Sequence, residues 1–85
     1  MKVLELESLL NRITPIISDM EAELIWPEEA KRFIGNAVSA LDEDDTLSKQ
    51  LIELLTSTQD AETDERRLDL LNYVEEVVNQ EFEEL

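Results

Sequence analysis

The stretch L-D-L-L-N-Y-V-E-E-V-V-N-Q-E-F-E-E-L, residues 68–85, decides the fold class. Leu70, Leu71, Val74, Val77, Val78, Phe82 and Leu85 recur at intervals of three and four, which lays apolar side chains along one face of an α-helix. At about 100° per residue they occupy one half of the helical wheel. Glu65, Asp69, Asn72, Glu76, Asn79 and Glu83 occupy the other half, spaced 4, 3, 4, 3, 4. Tyr73 falls among these polar residues rather than with the apolar ones. Asp60, Thr63 and Asp64 precede the pattern and are candidate N-caps for it, because a short side-chain oxygen can accept from the unpaired amides of a first turn.

Working back from this helix, Leu47, Leu51, Leu54 and Leu55 mark another, running to about Thr58. Residues 30–41 hold a cleaner pattern still: Ala30, Phe33, Ile34, Ala37, Val38 and Leu41. Trp26-Pro27-Glu28-Glu29 precedes it, with proline suited to a first helical position and two glutamates suited to the positive end of the macrodipole. Gly35 lies inside this helix and weakens it by about 1 kcal/mol relative to Ala unless a neighbour packs closely there. At the front of the chain, Val3, Leu4, Leu6, Leu9, Leu10 and Ile13 form one amphipathic segment, and Ile16, Ile17, Met20 and Leu24 form the next. Thr14-Pro15 stands between them. It reads as the start of a separate helix or as a kink in one long helix. The fold predicted is all-α: a small bundle of four or five short helices, the last one longest. Its core is expected to include Leu10, Phe33, Val38, Leu51, Leu55, Leu71, Val74 and Val78. Trp26, flanked by apolar residues, is expected in the core as a staple onto the helix after Pro27.

The chain has 85 residues, enough for a single domain over residues 1–85 with modest burial, which leaves room for a homodimer. With no Cys and no His it lacks the thiolate nucleophile, the usual base near neutral pH and the commonest metal ligand. No segment approaches the roughly 20 apolar residues of a membrane span, and glutamates interrupt the N-terminal region where a secretory signal would be unbroken. A cytoplasmic protein is therefore expected. The net charge of −15 comes from 22 acids against 7 bases, and it is uneven along the chain. Residues 1–41 carry seven acids and four bases; residues 42–85 carry fifteen and three. Such a surface repels nucleic acid and anionic membranes and attracts basic proteins and cations.

The densest acidic run is Asp42-Glu43-Asp44-Asp45. In an EF-hand register Asp42, Asp44 and Thr46 would take ligand positions 1, 3 and 5, and Glu53 would be the bidentate acid at position 12. Leu47 then stands where the sharp turn requires glycine, and Lys49 stands at a position that is normally apolar. A looser calcium site from Asp42, Asp44, Asp45 and Glu53 is the alternative, since calcium accepts oxygen ligands in flexible geometry. Helix capping by Asp44 or Asp45 accounts for one or two of the four carboxylates, not for all of them.

These features predict no enzyme and no resident cofactor, calcium under the alternative reading excepted. The expected function is a non-enzymatic acidic interaction protein whose carboxylates dock a basic partner, such as a nucleic-acid-binding enzyme. Asp69, Tyr73, Glu76, Glu83 and Glu65 are the candidate contacts. Being small, acidic and compact, the chain is similar in composition, though in no motif, to anti-restriction, anti-CRISPR and nuclease-immunity proteins that act as inhibitors by imitating nucleic-acid charge. A structural subunit kept soluble by its charge is the third reading.

Overall fold

A computed structural model describes residues 3–23, 26, 28–41 and 45–84. The readings of Leu24, Pro27, Asp42, Glu43, Asp44 and Leu85 fall outside the described residues, as do those of the Val3 and Leu4 side chains. Among the described residues four helices form, in chain order α1 (Val3–Glu23), α2 (Glu28–Ala40), α3 (Thr46–Asp60) and α4 (Asp64–Glu84). No strand occurs among the described residues. The all-helical bundle expected from the periodicities is the fold.

α1 is one element, not two. Pro15 lies inside it, so α1 reaches 21 residues and equals α4 in length. An interior proline costs about 3 kcal/mol, since it removes a backbone donor and crowds the preceding turn. Burial outweighs that cost. Leu6, Leu9 and Ile13 are buried before the proline, and Ile16, Ile17 and Met20 after it. Each such side chain contributes roughly 1.5–3 kcal/mol when taken out of water. Both Asn11 and Pro15 are exposed, so the Asn11 carbonyl, deprived of its usual donor, faces solvent.

α4 packs between α1 and α3, α2 packs on α3, and of the pairs in contact α1 and α2 touch least. Two contacts fix the relative direction of α1 and α4. The Thr14 hydroxyl reaches Glu75 Oε2 at 3.2 Å, and the Arg67 guanidinium lies 5.6 Å from the Trp26 ring centroid. Residue numbers rise on one side as they fall on the other, so the two helices run antiparallel.

The core gathers from all four helices around Leu6, Ile13, Met20, Ile34, Leu51, Leu55, Leu71, Val74 and Val78. Trp26 is buried there, as expected from its neighbours. Leu10, Phe33 and Val38 are corrections: they pack against the core but stay half-buried. All three belong to the loosely paired helices α1 and α2, whose flank no further element covers among the described residues.

Helix ends follow their capping chemistry. Asp45 is the N-cap of α3, accepting from the Ser48 amide at 2.7 Å. Thr63 caps α4, accepting from the Arg66 amide at 3.1 Å. Arg67 then clamps the intervening turn, donating to the Ala61 carbonyl at 2.7 Å and to Asp64 Oδ1 at 2.5 Å while its guanidinium lies against Trp26.

Candidate partner-binding surface

α4 turns one face fully outward. Glu65, Asp69, Asn72, Glu76, Asn79 and Glu83 are all exposed, while Leu70, Leu71, Val74 and Val78 are buried on the opposite side. The separation follows from the 3.6-residue period, which leaves no overlap between the two sets. Tyr73 stands among the carboxylates at 49% exposure, the large apolar side chain left in solvent among the described residues. Glu75 is half-buried at the seam with α1, where it accepts from Thr14. That hydroxyl also lies 2.9 Å from the Leu10 carbonyl, so its single proton serves one acceptor at a time.

Packing enlarges this face beyond α4. Glu7, Thr14 and Glu21 are seven residues apart and so lie along one line of α1. Because Thr14 touches Glu75, that line borders α4, and Glu7 and Glu21 are both exposed on it. α1 carries five acids and one base, and α4 carries eight acids and two bases, a net −4 and −6. α2 carries two of each, and α3 two acids and one base. Net charge on the helices therefore divides between the α1/α4 pair, at −10, and the α2/α3 pair, at −1. The division of the sequence into a weakly and a strongly acidic half does not survive, because α4 returns to pack on α1. Sequence reasoning missed Glu7 and Glu21 for this reason: no local signal says which flank of α1 meets which later helix.

Of the residues read as a calcium site, Asp45 and Glu53 are among those described. Asp45 engages the α3 amides as a cap, and Thr46 opens that helix. Glu53 is exposed on α3, about two turns further on. Helix thus occupies residues 46–53 of the stretch that an EF-hand loop would use to wrap an ion. Among the described residues no three acidic side chains converge as a metal site would require.

A second surface feature lies between α1 and α2, where their sparse contact leaves a groove of about 570 Å³ lined in part by Arg12, Ile16, Asp19, Glu29, Arg32 and Phe33. Among the described residues, no helix is long and apolar enough to cross a membrane. Comparison with protein-family models, with curated proteins and with solved structures finds no match to this chain.

Proposed function

We propose that this chain is a non-enzymatic interaction protein whose α1/α4 face docks a basic partner, and that in its sharpest form it occupies a nucleic-acid-binding groove and inhibits the protein that owns it. One observation carries the reading: Glu65, Asp69, Glu76 and Glu83 of α4 are presented outward around an exposed Tyr73, beside the second most acidic helix. A 21-residue helix is about 31 Å long. The α1/α4 pair therefore carries ten net negative charges over that length, one per roughly 3 Å. A single DNA strand carries one per about 3.4 Å. Such a field draws a basic groove from a distance and aligns it before contact. Tyr73 supplies what charge alone lacks, a rigid partly apolar side chain that makes close contact once docked. Ser48 and Thr58 are the buried polar residues among those described, so no described carboxylate is buried, which supports a reading of recognition at a surface.

The test compares two triple variants that each remove three charges. Asp69→Asn, Glu76→Gln and Glu83→Gln neutralise the α4 face; Glu28→Gln, Glu53→Gln and Asp60→Asn neutralise the α2/α3 side. Each is used as bait in a source-organism lysate and eluted with a salt gradient. A basic partner released at distinctly lower salt by the first variant alone supports the reading. Equal losses from both would leave total charge as the only determinant and overturn it. Tyr73→Ala should raise the dissociation rate with little change in salt dependence, since it removes contact area rather than field.

A further inference from the structure

The α1/α2 groove sits on the opposite flank of α1 from the acidic line. Arg12, Pro15 and Asp19 line the groove, whereas Thr14 and Glu21 lie about 100° or more away round the helix and Glu7 about 80° or more. Its floor is apolar, built from Ile16, Phe33 and Ala37 and extended by Leu9 towards the start of α1. Its charges are balanced. Arg12 and Arg32 face the groove with Asp19 and Glu29, so two of the four arginines in a chain of net charge −15 collect here. Neither arginine is ion-paired among the described residues; the Arg12 guanidinium lies 5.8 Å from the Phe33 ring centroid.

We propose that a second copy of the chain closes this groove in a two-fold dimer, with the axis crossing α1 between Pro15 and Ile16. An isologous interface must be complementary to itself. About that axis α1 runs antiparallel to its copy, and position 12 of one copy meets position 19 of the other. Arg12 then pairs with Asp19 of the second copy, twice, around an apolar centre of Pro15 and Ile16. Balance of charge selects this occupant. The acidic α1/α4 faces of the two copies, which repel each other, point away from this interface, Arg12 and Asp19 are complementary to each other about the axis, and a basic foreign partner is drawn to α4 instead. Arg12 and Asp19 cannot satisfy each other within one copy, since seven residues of helix hold them about 10 Å apart. The dimer leaves the α4 face free, so it stands or falls independently of the function proposed above.

The test is sedimentation equilibrium of the full chain at moderate salt, with circular dichroism checking that each variant is folded. The wild-type chain should run at twice the monomer mass, and Arg12→Asp should weaken the dimer at least about tenfold. Asp19→Arg should weaken it similarly, even though it lowers the net charge and with it the general repulsion between copies. Combining Arg12→Asp with Asp19→Arg should restore dimerisation, since the pair is reversed but intact. A monomer at every concentration, or a dimer that Asp19→Arg strengthens or the combination fails to restore, overturns the proposal.

Discussion

The helix pairs α1/α2 and α3/α4 solve the same problem in opposite ways. α3 and α4 pack on each other more extensively than any other pair, and a short turn capped by Thr63 and clamped by Arg67 joins them. α1 and α2 barely touch, one contains a proline and the other a glycine, and the apolar residues between them stay half-buried. What keeps the first pair helical is burial onto the second, through Leu6, Ile13 and Met20 from α1 and Ala30 and Ile34 from α2. Local preference and tertiary packing agree in the C-terminal pair. In the N-terminal pair packing overrides preference.

The largest expected effect tests that dependence. Leu71 is fully buried on α4, so Leu71→Ala should cost about 2–5 kcal/mol through lost burial and the cavity left behind. A domain of this size has a total stability of roughly 4–13 kcal/mol, so the variant should lie close to the unfolding threshold. Val38→Ala, on the half-buried flank of α2, should cost under about 1 kcal/mol. Urea titrations of both variants measure the contrast. Equal costs would mean that α1 and α2 close on each other in solution, and the comparison would fail.

Capping comes next. Thr63→Ala removes the oxygen that accepts the Arg66 amide and should cost about 1 kcal/mol, whereas Thr63→Ser should be near neutral. Asp45→Ala should cost a similar amount at α3, with Asp45→Asn retaining most of the cap. Thermal melts of the four variants distinguish a capping role from a purely electrostatic one, in which Asn would fail as badly as Ala.

How much of this was legible in the sequence follows the same line. The α4 wheel separated Leu71, Val74 and Val78 from the exposed acids correctly because a strongly amphipathic helix needs only its own period to orient it. Thr63 and Asp45 stood among the expected caps because capping chemistry is local. Pro15 was ambiguous because its local cost is set against burial onto α4, which the residues around it do not encode. Leu10, Phe33 and Val38 looked like core because periodicity identifies an apolar face without saying whether anything covers it. The outward acids of α4 were readable, but the joining of Glu7 and Glu21 to that face required knowing that α1 neighbours α4. So did recognising a groove with Arg12 and Arg32 on its rim.

Gly35 offers a smaller effect with the opposite sign. A Cβ added there meets only the Gln59 amide nitrogen at 3.7 Å, an ordinary van der Waals contact. Close packing therefore gives no reason for the glycine. Gly35→Ala should stabilise the protein by up to about 1 kcal/mol, because alanine loses less backbone freedom on forming a helix. A destabilised variant would show that α2 shifts towards α3 in solution and needs the space. Placed beside Val38→Ala, the result states whether α2 is limited by its own helix propensity or by its packing.

The smallest effect on stability is expected where the largest effect on binding is proposed. Neutralising Asp69, Glu76 and Glu83 touches no buried group, so it should change unfolding free energy by less than about 0.5 kcal/mol, in the stabilising direction. The reason is crowding: the α1/α4 side holds most of the helical charge excess, and removing three like charges relieves repulsion within the fold. The same repulsion should be screened by salt, because the Debye length falls from about 30 Å at 0.01 M to about 10 Å at 0.1 M. The wild-type melting temperature should therefore rise between those conditions, and the neutralised variant should show a smaller rise. Calcium supplies the sharper comparison. At matched ionic strength, calcium chloride should stabilise the wild-type chain little more than sodium chloride if the acids act only as a field. A much larger, saturable stabilisation that Asp45→Asn or Glu53→Gln abolishes would instead assign the acids around α3 to a specific ion, because only a ligand bound to the folded state raises stability in that way.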